Sequence, residues 1–569
     1  MFGGWGMTTL IKKIKGRKTY YYAVRSARVD GKPRIVWQKY LGTLDAIIAR
    51  CEESEAPTPV ETTLFEAGGV AALMQIANRI NLMEIINQVV PKRDQGPSVG
   101  HYIILAALNR VLDPLSKSQI GEWYHDTILR RIWGFQDNDF TSQRYWDHMG
   151  MISQIDIETI QRLIVEKVKS EFTIETESLL YDCTNFFTFI DTHNQRSTLA
   201  KRGKNKQKRA DLQQVSLAML TTKDFQIPLF HKTYRGNIPD VKIFPEVARD
   251  LLNKNKALSG NIKDSTLVFD KGHLSEENRE LLLHSGIYFV AGVKSELISD
   301  LFETSIEQFQ EVSFMPGTKY VSSQIEISGR DCMAVVSYSE SFFTEQLSSL
   351  TVAMSKCEEK LRELQKNLLD WMLGKKTKGT RPKTKAVKEN LKTILSPQHM
   401  KELFKIDLQD YDGKPILKYS VDQKELEKIT SKRLGRTLLI SNRTEWIPVE
   451  IIRSYRSLSS VEEAFKYMKN RDYLRWQPAF HWTDQKVEVH TFYCVLALLL
   501  ATLARKIAVE NGHDISLPAL LDDLSAIKEV ALLYKAEKGV KARFTVNTMT
   551  VRQKKLADLF KIGEIVAQG

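Results

Sequence analysis

The chain has 569 residues, 43% apolar and 27% charged, with a formal net charge of +13 and a pI near 9.2. This is the composition of a globular chain, long enough for about three to five domain-sized units. The basic excess points to an anionic partner, nucleic acid first and acidic membrane second. Cys51, Cys183, Cys332, Cys357 and Cys494 are scattered. With no CxxC and no Cys/His pairing at zinc spacing they exclude a zinc module and fit a reduced cytosolic compartment. The opening residues lack a charged stretch followed by an apolar core, so no signal peptide is expected. The most apolar run, residues 492–504, is too short to span a bilayer and predicts a buried helix.

Residues 8–45 predict strands and turns. Two β-rich runs, 18–24 and 34–38, flank the turn signal Asp30-Gly31-Lys32-Pro33. Lys12, Lys13, Lys15 and Lys18 either touch phosphates or solvate a small sheet. Residues 52–61, with two prolines and four glutamates, read as a linker. Helical patterns follow at 70–90, 100–111, 117–123 and 152–171. A basic helical region ahead of a catalytic core is a candidate DNA-binding domain, although no single helix-turn-helix stands out.

From residue 177 strands and helices interleave, which predicts a mixed α/β sheet. A strand at 177–182 ends in Asp182, another spans 214–221, and a third at 265–270 ends in Asp270. A helix is expected at 241–252. The turn 271–274 leads into a helix that Ser275 caps, and a further strand covers 287–291. Strand-like runs at 320–328 and 331–338 precede a long helix. In it Leu347, Leu350, Met354, Cys357, Leu361, Leu364, Leu368 and Trp371 form a coiled-coil-like seam, expected to pack on a helical stretch around 384–405. The basic stretch 375–385 between them reads as a solvated loop rather than a DNA contact. A strand at 436–441 follows.

Residues 451–469 predict one helix, with Leu458, Val461, Phe465 and Met468 as its apolar stripe. Tyr455, Glu462 and Lys469 are spaced by seven, so each falls within roughly 20° of the one before it on a second face. In open α/β sheets ligands gather at the carboxyl ends of strands. Two aspartates there and a glutamate on a packed helix offer oxygen ligands suited to Mg²⁺ or Mn²⁺. Two such ions about 4 Å apart activate the attacking oxygen and stabilise the leaving one at a phosphodiester. Taken singly, each Asp is equally a turn residue, and Glu462 with Lys466 an ordinary helix-surface pair. His490 reads as a packing histidine and His273 as a loop residue.

These motifs together resemble the DDE transposases of bacterial insertion sequences, in the subgroup marked by a Tyr–Arg–Glu–Lys motif. The resemblance rests on residues 179–187 around Asp182, 268–272 around Asp270, and Tyr455, Glu462 and Lys469 at the subgroup's spacing. Further landmarks are residues 31–33 with 40–42, 211–215, 234–240, and 482–484 leading to His490. The motif places Arg three residues after the Tyr. This chain has Leu458 there, with Arg456 nearby.

The resemblance implies an α/β fold: a ribonuclease-H-like mixed-sheet core interrupted by an α+β insertion, preceded by a small β-rich unit and a helical domain. The corresponding boundaries are 1–60 for the β-rich unit and linker, 61–175 for the helical domain, and 176–300 for the first part of the core. The insertion is 301–440, and 441–569 completes the core. Asp182, Asp270 and Glu462 would be the catalytic and metal-binding residues, holding two Mg²⁺ or Mn²⁺ ions. Tyr455, Arg456, Lys466, Lys469, Lys271 and Arg235 would contact DNA. The implied reaction is cleavage at the element's ends, then attack of the freed 3′-hydroxyl on target DNA. Its partners would be terminal inverted repeats, target DNA and a second copy of the chain, in the cytoplasm and with no membrane. A ribonuclease-H-fold nuclease without strand transfer and a catalytically silent DNA-binding protein are the alternatives.

Overall fold

The computed structural model describes residues 8–16, 18–29, 32–52, 59–93, 95–191, 193–205, 207–248, 265–376, 378–411, 413–477, 479–535 and 540–567. The expected Asp30-Gly31 turn, the first six residues, most of the 52–61 linker and positions 249–252 of the expected 241–252 helix lie outside them. The chain divides into two compact units, one of residues 1–65, 528–548 and 566–569, the other of 66–527 and 549–565.

In the first unit β1 (Thr8–Lys15), β2 (Lys18–Val29) and β3 (Lys32–Gly42) pair as an antiparallel sheet. Tyrosine and β-branched residues fill these strands, as pleated half-buried surfaces favour. A helix, Leu44–Glu52, packs against β2 and β3. Strand β4 (Glu61–Glu66) belongs to a second sheet, completed at the far end of the chain.

The second unit opens with helices. The pattern at 70–90 is two helices, Gly68–Arg79 and Leu82–Val89, because Asn81 at φ 53° takes a left-handed turn between them. Serines cap Val99–Leu112 and Gln154–Glu171: Ser98 accepts from the His101 amide and Ser153 from the Asp156 amide.

The core of this unit is a mixed sheet of nine strands. They are β5 (Ser178–Thr188), β6 (Gln213–Thr222), β7 (Pro228–Arg235), β8 (Thr266–Phe269), β9 (Tyr288–Val293), β10 (Gln310–Glu311), β11 (Thr318–Ile327), β12 (Arg330–Ser339) and β15 (Arg436–Ser441). Their spatial order is β10-β11-β12-β15-β9-β8-β5-β6-β7. Strands β5, β6 and β7 are antiparallel neighbours, with Asp182 opposite Met219. On its other side β5 pairs in parallel with β8, and β8 in parallel with β9. Residues in these strands are buried in long runs, as in β6, where Gln214–Thr222 are all buried. Strands covered on both faces require this. Residues 240–248 are helical. Ser275 caps the helix Glu276–Ser285 through the Asn278 amide, as expected.

Between β12 and β15 the long helix Glu340–Met372 carries the expected seam: Leu350, Cys357, Leu361, Leu364 and Leu368 are buried. Its partner differs from expectation. Only Thr384–Ile394 and the short Met400–Leu403 are helical; residues 404–421 form an antiparallel hairpin, β13 (Phe404–Tyr411) and β14 (Lys414–Val421). Alternation in Phe404, Ile406 and Leu408 gives this hairpin an apolar side that packs into the same cluster as Leu361 and Leu391.

The run 492–504 lies inside a 27-residue helix, Asp484–Glu510, twice the expected length. By length and composition it is long and apolar enough to cross a membrane, yet 83% of its most apolar window is buried within the protein. It is the axis on which the helices Gly68–Arg79 and Val99–Leu112 and strand β7 pack. The last strands, β16 (Lys528–Lys535) and β17 (Val540–Val546), join β4 in the order β17-β16-β4.

Candidate active site

Asp182 sits within β5, between the buried Tyr181 and the half-buried Cys183. Its Oδ1 accepts from the Cys183 amide at 2.8 Å and lies 3.3 Å from His273 Nε2. Asp270 is the first residue past β8, where the strand turns into the short helical turn Lys271–His273. Its Oδ1 accepts a hydrogen bond from the Tyr455 hydroxyl at 2.7 Å. Because β5 and β8 are parallel neighbours, two acidic positions far apart in sequence come to adjacent strands.

The predicted helix 451–469 is in fact two, Pro448–Arg456 and Leu458–Met468, meeting at Ser457. The Ser457 hydroxyl donates to the Ser454 carbonyl at 2.5 Å, and Ser460 likewise to Ser457 at 2.6 Å. Hydroxyls that bond the backbone compete with the helical ladder and favour such a break. Tyr455 therefore stands on one helix and Glu462 on the next, with Lys469 at its C-cap. The apolar stripe holds in part: Val461, Phe465 and Met468 are buried, whereas Leu458 is half-buried.

Asp182, Asp270 and Glu462 line one cavity of about 660 Å³, together with Tyr455, Arg456 and Leu458. Ser337, Ser339, Ser341 and Thr437 also line it. Glycine at position 292 of β9 makes room for Tyr455, since a Cβ there would lie 2.5 Å from the phenol oxygen. Burial, reinforced by the Asp270 carboxylate, pushes the Tyr455 hydroxyl far above its usual pKa, so it remains a neutral donor. Lys469 Nζ donates to Thr184 Oγ1 at 2.5 Å and lies 5.5 Å from the Phe186 ring centre, which ties the end of the glutamate helix to β5.

The remaining sequence-predicted contacts are dispersed. Lys466, Lys271 and Arg235 are exposed, the last at the end of β7. Arg456 is at the cavity, 3.5 Å from the Met315 sulfur, and burial lowers its pKa. His490 is fully buried between the Trp476 carbonyl and the Tyr493 hydroxyl, consistent with a packing role.

His273 was not foreseen as part of the site. It is buried, with its ring edge-on to Tyr181 at 5.1 Å and near Phe244 at 6.3 Å. Its Nδ1 has no partner among the described residues. The only sequence signal was its place three residues after Asp270.

The chemistry of the three carboxylates suits a hard divalent cation. The Oδ2 atoms of both aspartates accept no hydrogen bond among the described residues, and both residues line the cavity. Within the described residues, however, no three His, Cys, Asp or Glu side chains are gathered tightly enough to form a metal-binding group.

No protein-family profile matches the chain, and no curated protein matches it. Among solved structures, it is similar to a piggyBac transposase in a synaptic complex with hairpin DNA, at 9% identity and a TM-score of 0.35, over 80% of this chain and 78% of that one. It is also similar to the Mos1 transposase in a paired-end complex with a left transposon end, at 12% identity and a TM-score of 0.13. There 34% of this chain covers 58% of the other, little over half its length. At these TM-scores the two likenesses carry no argument about fold or function.

Proposed function

We propose that the chain is a DDE-type DNA transposase. The observation that carries this reading is that Asp182 and Asp270, on adjacent parallel strands, share one cavity with Glu462 from a following helix. The order β7-β6-β5-β8-β9, with three antiparallel strands followed by two parallel ones, supports a ribonuclease-H-like core for it. The basic balance of the chain supports DNA as substrate.

On this reading Asp182, Asp270 and Glu462 hold Mg²⁺ or Mn²⁺, which supplies charge neutralisation and an activated oxygen at the phosphodiester when bound. Tyr455 fixes the Asp270 carboxylate through its hydrogen bond, and His273 holds Asp182 from beneath. Arg456 at the cavity and Lys469 beside β5 offer positive charge to the DNA backbone. Leu458 offers none, so Arg456 takes over the role of the motif arginine. Because the protein forms no covalent intermediate, positioning and electrostatics supply the catalysis. The substrates are terminal inverted repeats of a bacterial insertion sequence and target DNA, bound by a homodimer in the cytoplasm.

The test is Glu462→Gln. Incubated with Mn²⁺ and a plasmid carrying the element with both terminal inverted repeats, this variant should bind the ends as the wild type does yet fail to cleave them. Surviving cleavage would remove Glu462 from the site. Cleavage by the wild type with no joining to target DNA would instead identify a nuclease.

A further inference from the structure

The three-stranded sheet β1–β3 plays no part in the site above, and its composition is unusual. Each of the three strands carries three Lys or Arg and no Asp or Glu. A structural sheet that merely needed solubility would mix both signs, because interspersed charges solvate a surface without self-repulsion. An all-cationic sheet repels itself and gains only when a polyanion neutralises it.

Register and side-chain alternation sort these residues onto two faces. Leu10 and Lys12 of β1 stand opposite Ala23 and Tyr21 of β2, and Arg25 opposite Trp37 of β3. Arg25 confirms the shared face: its Nε donates to Thr8 Oγ1 at 3.1 Å and its guanidinium lies 5.2 Å from the Trp37 ring centre. The other face holds Val24, which is 3% exposed. On the first face Thr8, Leu10, Lys12, Ile14, Arg25, Trp37 and Lys39 are all exposed, and burial returns only at Gly42, opposite Tyr21. Leu10 is 57% exposed, Ile14 68% and Trp37 42%, and Lys12, Arg25 and Lys39 are exposed between them.

Large apolar groups open to water on a sheet face mark a contact surface. Here cations are interleaved with them, and hydroxyl groups of Thr8 and Tyr21 lie in the same layer. An acidic bilayer would favour a contiguous apolar tip with charges at its margin; this face alternates the two. Alternation suits a groove, in which the walls are phosphate and the floor is base edges and sugar. The dimensions agree: three strands spaced about 4.8 Å apart span about 10 Å, against a major groove about 12 Å wide.

We infer that the open face of β1–β3 is a double-stranded DNA-binding surface that enters a groove, with Lys12, Arg25 and Lys39 on phosphates and Trp37, Leu10 and Ile14 on the groove floor. It is separate from the carboxylate cavity and requires neither the metal nor the chemistry proposed there.

The experiment measures binding of the full chain to a labelled 30-base-pair duplex in EDTA across a salt series. Wild type is compared with Lys12→Gln/Arg25→Gln/Lys39→Gln, with Trp37→Ala, and with Lys12→Arg/Lys39→Arg. Losing three phosphate contacts should flatten the slope of log affinity against log salt by about 2.7, since each contributes about 0.9. Trp37→Ala should weaken binding several-fold at an unchanged slope, and the charge-preserving pair should bind as wild type. All four substituted positions are exposed, and circular dichroism checks that each variant is folded. An unchanged slope in the triple variant overturns the inference. So does a slope change seen only with single-stranded RNA, or only with vesicles containing phosphatidylserine. Glu462→Gln serves as the control: it should bind the duplex normally, so loss of cleavage without loss of binding leaves this surface standing and bears only on the cavity.

Discussion

Replacing His273 by Phe separates packing from positioning at the carboxylate site. The phenyl ring retains the contacts with Tyr181 and Phe244 and removes a buried Nδ1 that has no partner among the described residues. Relief of such an atom gains about 1–3 kcal/mol. Against it stand the lost hydrogen bond to Asp182, which at 3.3 Å falls at the weak end of about 0.5–1.5 kcal/mol, and the larger ring, which costs about 1–3 kcal/mol in a packed interior. The terms nearly cancel, so stability should fall by no more than about 2.5 kcal/mol. Activity should not be spared. Asp182 Oδ1 keeps only the Cys183 amide as donor, and loss of a partner that orients a metal-binding carboxylate typically costs about 10–100-fold in metal affinity or activity. Urea unfolding gives the first quantity, and cleavage rates across a Mn²⁺ titration give the second. An unchanged Mn²⁺ dependence and rate would refute a positioning role for His273. A stability loss above about 3 kcal/mol, the scale of a disrupted core, would show that the ring is there for packing.

Gly292→Ala places a Cβ 2.5 Å from the Tyr455 hydroxyl oxygen. It should push that ring off Asp270 and slow cleavage while duplex binding in EDTA stays normal; a crystal structure with Tyr455 undisplaced would contradict this. Glu488 makes a pH prediction. Burial, with the charges of Asp484 and Glu158, pushes its carboxyl up to about 7. The folded state thus binds more protons than the unfolded chain, and this group's contribution to stability is lost as pH rises from its ordinary value through about 7. Glu488→Gln should match the wild type near pH 4 and exceed it at pH 8, read as the urea midpoint at each pH.

Some of this protein is local and therefore legible in the sequence. The strand that stops at Asp270 follows from a β-favouring run cut short by a polar turn residue, whereas the strand expected to end at Asp182 runs on to Thr188 and leaves that residue in its interior, because β6 continues to pair with it. The seam of Leu350, Leu361 and Leu368 follows from helical periodicity, and Ser275 follows from capping chemistry. Of the three residues spaced by seven, Tyr455 and Glu462 line one cavity although the helix that carries them is broken, whereas Lys469 lines another beside Phe186 and Arg475.

The remainder depends on contacts between residues far apart in the chain. Periodicity overlooks Ser457, because apolar spacing continues through the break while serine hydroxyls take the backbone carbonyls. The 404–421 hairpin has short alternating runs whose strand character is decided by the long helix they pack on. The 27-residue length of the helix Asp484–Glu510 exceeds the apolar run because its polar end is held by tertiary bonds, with Asp484 accepting from Ser197, Thr198 and Leu199.

The site divides in the same way. Sequence marks the three carboxylates as candidates, since a carboxylate's chemistry is a property of residue type and local pattern. Only the tertiary structure put β5 beside β8, turned Tyr455 onto Asp270 in the space left by Gly292, and buried His273 under Asp182. Strand order and register are set by burial shared among segments hundreds of residues apart, and no local stretch of sequence encodes which of them will meet.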